Sequence, residues 1–225
     1  MVKTLFHGSR DIIENPIFGY GKAYNDYGLG FYCTESKDLA LEWAVGKESN
    51  GFANCYEVDF EGLKVLDLNE SEFTVLHWIA ILLDNRQFEI SSILAQEAKE
   101  YILNNFLVDY ESYDVIIGYR ADDSYFSFAE DFLNGMISVR QLGNALYLGK
   151  LGQQVVLKSK EAFDRVRYKT HYVALNSEWY ARKSLRDKTA RREYFDIERN
   201  RRQKGDMYIV QILDEEVKPD DPRLR

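Results

Sequence analysis

Apolar and polar residues follow two different patterns along this chain, one typical of β-strands and the other of α-helices. Short apolar runs, and runs in which every second residue is apolar, predict strands that are bounded by Gly, Asn, Asp or Pro. The predicted strands span residues 3–7, 30–34, 54–60, 63–68, 113–119 and 154–157. The run at 154–157 is the final core strand that this pattern predicts.

Apolar residues spaced three and four apart predict helices between and after these strands. Ser36 is expected to cap a helix that carries Trp43 on its apolar face. Asn69 or Ser71 is expected to cap the apolar helix 73–83. Further predicted elements are helices at 92–106, 125–133, 139–148 and 177–204, and a strand-like segment at 207–213.

The order of these elements favours an α+β fold, because helices interrupt the strands without the regular alternation of a doubly wound sheet. From about Val173 onward the pattern changes to a long polar helix. We therefore divide the chain into a main domain, residues 1–172, and a C-terminal appendage, residues 173–225. The appendage is predicted to contain the basic helix and the strand-like segment.

Composition excludes several classes of protein. The chain has 225 residues, of which 45% are hydrophobic and 14% aromatic, enough to bury a sizeable core. No apolar run is long enough for a membrane span, and the first residues lack the pattern of a secretion signal. Cys33 and Cys55 are far apart, and three histidines show no ligand spacing, so neither a disulfide framework nor a metal site is predicted. We expect a reduced, cytoplasmic protein with no membrane partner.

Charge is distributed unevenly along the chain. The net charge is −8, yet residues 178–204 carry ten Lys and Arg against five Asp and Glu, whereas residues 1–177 carry −10. This basic segment is the one place where nucleic acid is expected to bind electrostatically. The interpretation that we favour is a solvated helix face with i,i+4 pairs such as Asp187 and Arg191.

Two segments near the start carry residues suited to binding a ligand. The first is His7-Gly8-Ser9, at the end of a short apolar run, and the second is residues 27–34, YGLGFYCT. Glycine allows the backbone to come close to a ligand, and aromatic rings offer flat faces for stacking. Together they predict a site for a flat ring that bears an amide, which indicates NAD.

These two segments, followed by a helix with Ala40 and Trp43, resemble the NAD-binding half of ADP-ribosyltransferases. The resemblance is closest to the diphtheria-toxin and poly-ADP-ribose-polymerase branch, which has a His-Tyr-Glu signature. The chain also resembles a little-characterised bacterial family of that superfamily. The resemblance implies a split β-sheet core with inserted helices, to which this chain adds a C-terminal helical extension.

The resemblance implies a role for each matching residue. His7 would bond the adenosine ribose, and the backbone of Gly8, helped by Ser9, would pair with the nicotinamide carboxamide. Tyr32 would stack on the nicotinamide ring, with Trp43 or Tyr27 as the second ring. The full set implied to contact NAD is His7, Gly8, Ser9, Tyr27, Gly30, Phe31, Tyr32, Trp43 and Asp123.

The third element of the signature departs from the pattern. Where the superfamily has Glu on a late core strand, this chain has Gln154, with Gln153 beside it. An amide can position a ribose hydroxyl, but it cannot offset developing positive charge. Either Gln154 only positions the sugar, or a carboxylate comes from Asp122 or Asp123, of which we favour Asp122. The alternative role of both aspartates is to cap the helix predicted at 125–133. The candidate catalytic residues are Gln154, Asp122 and Tyr32.

The expected function is that of an NAD-dependent mono-ADP-ribosyltransferase, which would transfer ADP-ribose to a macromolecule and release nicotinamide. Analogy implies a bacterial toxin or defence factor, with an antitoxin protein as a partner. The alternatives are an inactive module that binds NAD, nucleic acid or protein, and an NAD glycohydrolase. The acceptor stays open among protein, nucleic acid and small molecules.

Overall fold

The computed structural model describes residues 1–87, 90, 92–120, 123–148, 152–196 and 198–224, and of residues 123–126 it describes the backbone only. The strands are β1 (Val2–Ser9), β2 (Phe31–Cys33), β3 (Gly51–Asp59), β4 (Val65–Asp67), β5 (Val115–Tyr119), β6 (Gln153–Leu157) and β7 (Val166–Ala174). The α-helices are α1 (Lys37–Ala44), α2 (Val75–Asn85), α3 (Ile93–Phe106), α4 (Asp123–Leu133), α5 (Val139–Tyr147), α6 (Lys160–Asp164), α7 (Asn176–Asp196) and α8 (Ile209–Asp214). The predicted α+β class is confirmed.

The strands form two sheets that meet at one backbone bridge. One sheet has the order β1-β3-β7 and is antiparallel, while the other has the order β2-β6-β5-β4 and one parallel pair, β4 with β5. Phe6 in β1 and Thr34 after β2 exchange two backbone hydrogen bonds, of 2.8 and 2.9 Å. The sheets are therefore hydrogen-bonded to each other at this bridge and separate on either side of it.

Polar caps set the starts of the helices. The Ser36 side chain accepts from the backbone N–H of Leu39, as predicted for α1. The prediction that Asn69 or Ser71 caps α2 is wrong, because Thr74 caps this helix. The backbone N–H of Thr74 donates to Nδ1 of His77, which completes a capping box three residues into the helix.

Three C-terminal elements differ from the predictions. β7 follows β6 and pairs with β3, so residues 154–157 are not the last strand. Five of the nine residues of β7 are exposed and one is buried, so the strand lacks the pattern of a core strand. α7 ends at Asp196 rather than at residue 204. The segment predicted as strand-like contains α8, whose two buried isoleucines, Ile209 and Ile212, have helical spacing.

The C-terminal segment packs into the main core. Its buried side chains belong to the same apolar cluster as Trp78 and Phe128, and they are Met207, Ile209, Ile212, Val217 and Leu224. The predicted boundary between residues 172 and 173 falls inside β7. No described helix combines the length and apolar character that are needed to cross a membrane.

Close packing of α1 against β1 explains the glycine at position 8. A Cβ atom at Gly8 would lie 2.1 Å from the carbonyl oxygen of Ala40 and 2.8 Å from the backbone nitrogen of Ala44. Both are backbone atoms of α1, which cannot move aside as a flexible side chain can. Gly8 thus allows α1, and with it Trp43, to lie directly on β1.

We expect Gly8→Ala to lower the free energy of unfolding by about 3 kcal/mol, because the new methyl group forces α1 away from β1. The control is Gly143→Ala in α5, where a Cβ would meet no atom within 4 Å. Gly143→Ala is expected to raise the free energy of unfolding by about 0.5–1 kcal/mol, since glycine is unfavourable inside a helix. Urea unfolding of both variants measures the difference, and equal midpoints would contradict the close approach.

Candidate functional site

A cavity of about 500 Å³ lies where the two sheets separate next to the Phe6–Thr34 bridge. It is in the size range of about 300–1,000 Å³ that small-molecule sites usually have. Seven of the residues proposed from the sequence line it together, and they are His7, Gly8, Gly30, Phe31, Tyr32, Trp43 and Gln154. These residues come from β1, β2 with the glycine before it, α1 and β6, so the fold brings distant parts of the chain to one place.

His7 is a neutral imidazole with one defined tautomer. Its Nδ1 atom lies 2.7 Å from the carbonyl oxygen of Tyr32, which only accepts, so Nδ1 carries the proton and Nε2 is an acceptor. The ring stacks on Phe31, with centroids 4.5 Å apart. Burial lowers the pKa of His7 below its usual value of 6.5, and the bond to the Tyr32 carbonyl opposes that shift only in part.

The backbone of Gly8 faces the edge of its sheet. In an antiparallel ladder, residues two apart direct their N–H and C=O groups to the same side. Phe6 bonds through both groups to Thr34, away from β3. Gly8, two residues further along, therefore presents its own N–H and C=O on that side, where it lines the cavity.

Tyr32 offers its ring rather than its hydroxyl. The hydroxyl donates to the carbonyl oxygen of Gly28 at 2.6 Å and accepts from the backbone N–H of Tyr27 at 3.1 Å. Gly28 has φ +72°, a left-handed conformation that suits glycine and turns the chain back over the ring. Burial raises the pKa of the Tyr32 phenol well above its usual value. The group stays protonated and is already bonded to backbone, so it is not suited to act as an acid or base.

Two predicted contacts, Tyr27 and Ser9, lie elsewhere. Tyr27 is fully buried, and its hydroxyl donates to the carbonyl oxygen of Tyr119 at 2.6 Å. This contradicts the alternative in which Tyr27 closes over a ligand from the loop. The Ser9 hydroxyl donates to the carbonyl oxygen of Asp11 at 2.6 Å and accepts from Asn54 at 2.9 Å, so it holds the loop after β1.

That loop covers one side of the cavity and is fixed at its base. Asn54 is fully buried, donates to the carbonyl oxygen of Asp11 at 3.2 Å and accepts from the backbone N–H of Ile13 at 3.0 Å. The Tyr56 hydroxyl donates to the carbonyl oxygen of Ile13. Beyond these bonds the loop contributes cavity-lining residues, which are Ile13, Pro16, Ile17, Tyr20 and Gly21.

Two buried polar atoms in the cavity wall lack a partner among the described residues: Nε1 of Trp43, a donor, and Oε1 of Gln154, an acceptor. Buried polar groups in proteins are nearly always hydrogen-bonded, and an unpaired one costs free energy. The Trp43 ring also lies under the guanidinium of Arg120, whose carbon is 4.3 Å from the ring centroid. Both atoms belong to residues that line the cavity.

The cavity also contains charged residues that the sequence did not indicate. Asp26 is buried, and one of its oxygens accepts from Nε and Nη2 of Arg86 at 3.0 and 2.7 Å. Arg120 and Asn25 also line the wall. Asp26 comes directly before the glycine-aromatic segment 27–34, and this position in the sequence could have indicated it as a site residue. No local sequence pattern indicates Arg86 as a site residue, because it lies 60 residues from Asp26 in the chain.

The two aspartates proposed from the sequence are not placed by the structure. Asp122 lies outside the described residues. Asp123 is the first residue of α4, and its side chain lies outside the description. Within the described part of the chain, no three side chains of His, Cys, Asp and Glu are grouped as a metal site requires.

Comparison with known families gives a match. A family model described as "Protein of unknown function (DUF3990)" matches residues 3–168, which include β1 from its second residue, β2 to β6 and all the cavity residues named above. Neither the curated proteins nor the solved structures gave a match.

The lowered pKa of His7 predicts a pH dependence of stability. Above pH 6.5 the imidazole is neutral in both states, but as pH falls further the unfolded chain binds the proton first. We expect the free energy of unfolding to fall from pH 6.5 down to the folded-state pKa of His7. His7→Asn, which keeps a donor for the Tyr32 carbonyl, should lose this component.

Urea unfolding between pH 7.5 and 5 measures the effect as the difference between wild type and His7→Asn. His171→Asn in β7 is the matched control for the loss of a histidine, since His171 bonds Tyr168 and does not line the cavity. Identical slopes for wild type and His7→Asn would show that His7 is protonated as easily in the folded protein as in the unfolded chain.

Proposed function

We propose that this chain, which belongs to the DUF3990 family, is an NAD-dependent mono-ADP-ribosyltransferase that transfers ADP-ribose to a macromolecular acceptor and releases nicotinamide. The observation that supports it is the convergence of His7, Gly8, Tyr32 and Trp43 on one cavity. These are the residues whose order in the chain resembles the ADP-ribosyltransferase signature. Two sheets joined at a single bridge also fit the split core of that superfamily.

The cavity has groups suited to the nicotinamide end of NAD. A primary carboxamide has one acceptor and two donors, which complement the N–H and C=O of Gly8 at the open edge of β1. The nicotinamide ring can stack on Tyr32, whose hydroxyl is held by Gly28. Trp43 supplies the second aromatic surface of the same cavity.

The cavity also has groups suited to the sugar and phosphates. Nε2 of His7 and Oε1 of Gln154 are acceptors for ribose hydroxyls, and Nε1 of Trp43 is a donor. Arg120 places a guanidinium group in the wall, where the pyrophosphate of a dinucleotide would carry negative charge. In this arrangement the residues of the cavity orient NAD and exclude water.

By the analogy drawn from the sequence, we place the protein in the bacterial cytoplasm as a toxin or defence factor that an antitoxin protein binds. Its two cysteines, Cys33 and Cys55, are free and buried, which suits a reducing compartment. The acceptor is a protein or a nucleic acid in this proposal. The basic helix α7 is the surface that would favour nucleic acid.

A second candidate is a module that binds NAD without turnover. It is favoured by the neutral Gln154 at the position of the usual glutamate. Binding needs only complementary groups in the cavity. Turnover needs, in addition, a negative charge that offsets the one developing on the ribose.

His7→Ala should lower kcat/KM for nicotinamide release from NAD on the order of 100-fold, because the ribose loses an oriented acceptor. His171→Ala is the matched control. His171 bonds Tyr168 at 2.7 Å on β7 and does not line the cavity. Chromatographic assay of nicotinamide, with near-ultraviolet circular dichroism to confirm folding, measures the outcome. Equal rates in wild type and folded His7→Ala would reject the site.

Incubation of the wild-type protein with adenylate-labelled NAD and whole cell lysate separates the two candidate functions. The transferase should attach label to a macromolecule, and treatment with protease, RNase or DNase identifies the acceptor by which one removes it. The binding module should leave all the label in NAD, although calorimetry would still detect NAD binding. Label that leaves NAD without becoming attached to a macromolecule would identify a glycohydrolase instead.

A further inference from the structure

A carboxylate lies in the cavity wall beside Gln154, and it belongs to Asp26 in the loop before β2. The Asp26 side chain is only 4% exposed. Arg86 occupies its Oδ1 atom, while its Oδ2 atom accepts from Nε2 of Gln154 at 3.4 Å. Among the described residues that line the cavity, no other side chain is a carboxylate.

The contact with Asp26 sets the orientation of the Gln154 amide. A carboxylate only accepts, so the amide nitrogen must face Asp26 and the amide oxygen must point away from it. That oxygen, Oε1, is buried and has no partner in the described part of the chain, and the Gln154 side chain is 6% exposed. Asp26 therefore leaves Gln154 with an acceptor to offer to a ribose hydroxyl.

The ion pair has a defined geometry. The guanidinium of Arg86 bonds Oδ1 of Asp26, whereas Oδ2 contacts the amide of Gln154. Loss of nicotinamide places positive charge on the ribose. A preorganised negative group in a site shielded from water stabilises such charge more in the transition state than in the ground state. Gln154 alone cannot do so.

We propose that Asp26 is the catalytic carboxylate of the transferase, an inference that rests on the function proposed above. Together, Asp26 and Gln154 perform the two roles that the superfamily assigns to its single glutamate, which are to bind the ribose and to stabilise positive charge. The amide oxygen of Gln154 accepts a hydrogen bond from a ribose hydroxyl, and the carboxylate of Asp26 stabilises the positive charge.

The atoms and charges balance in this step. The bond from ribose C1′ to the ring nitrogen of nicotinamide breaks, and its electron pair neutralises the pyridinium. A lone pair of the acceptor forms the new bond to C1′, and the acceptor's proton passes to solvent. Nothing is oxidised or reduced.

Asp26→Asn removes the charge with little change of shape. We expect kcat for nicotinamide release to fall on the order of 100-fold, while the Kd for NAD measured by calorimetry changes by less than about threefold, since the lost interaction acts on the transition state. The matched control is Asp164→Asn in α6, an exposed aspartate paired with Lys160, which should retain the wild-type kcat.

The exchange variant Asp26→Asn/Gln154→Glu moves the carboxylate across the same contact. We expect its kcat for nicotinamide release to be at least about tenfold higher than that of Asp26→Asn, since one carboxylate again faces the ribose. A purely structural role of Asp26 would give no such recovery. Should Asp26→Asn alone unfold, the exchange variant carries the test, because it keeps one carboxylate and one amide in contact.

The outcomes separate this inference from the proposed function. Wild-type kcat in Asp26→Asn, or a folded exchange variant without recovery, overturns the role of Asp26. The transferase proposal survives both results, because the wild-type protein still releases nicotinamide. A wild-type protein that releases no nicotinamide in the presence of lysate overturns both.

Discussion

The two backbone hydrogen bonds between Phe6 and Thr34 determine the rest of the site. They tie the edge of β1 to the end of β2, and within the described residues they form the one isolated backbone bridge. Had the two strands continued to pair, the N–H and C=O of Gly8 would have been used within a single sheet. Because the strands separate there, the cavity opens between the sheets and a stretch of strand edge becomes part of its wall.

Packing around this opening then fixes the side chains. The absent side chain of Gly8 lets α1 lie against β1, which places Trp43 at the cavity. The turn at Gly28 returns a carbonyl to the Tyr32 hydroxyl, so the ring cannot swing away. Asn54 holds the base of the loop that covers the site. The site is thus rigid at its floor, whereas the loop beyond Ile13 exposes apolar side chains such as Ile17, which is 68% exposed.

Much of this arrangement could be predicted from the sequence, since periodicity and caps are local signals. Ser36 is predicted to cap α1, as its capping hydrogen bond confirms, and the helix predicted at 92–106 is α3. β7 could not be predicted in this way, because it lies at a sheet edge and buries few of its residues. Asp26 and Arg86 meet only through tertiary structure, so no local pattern connects them. The same holds for the atoms of Trp43 and Gln154 that have no partner among the described residues, since only burial reveals them.

The burial of Ile212 and Val217 beside Trp78 has a consequence for how the chain is made. These residues belong to the same interior as the buried side chains of α2, and they are synthesised well after that helix. A nascent polypeptide that has already extruded β1 to β6 still lacks one side of its core. Maturation of the main core is therefore delayed until the segment that contains α8 has left the ribosome and docks.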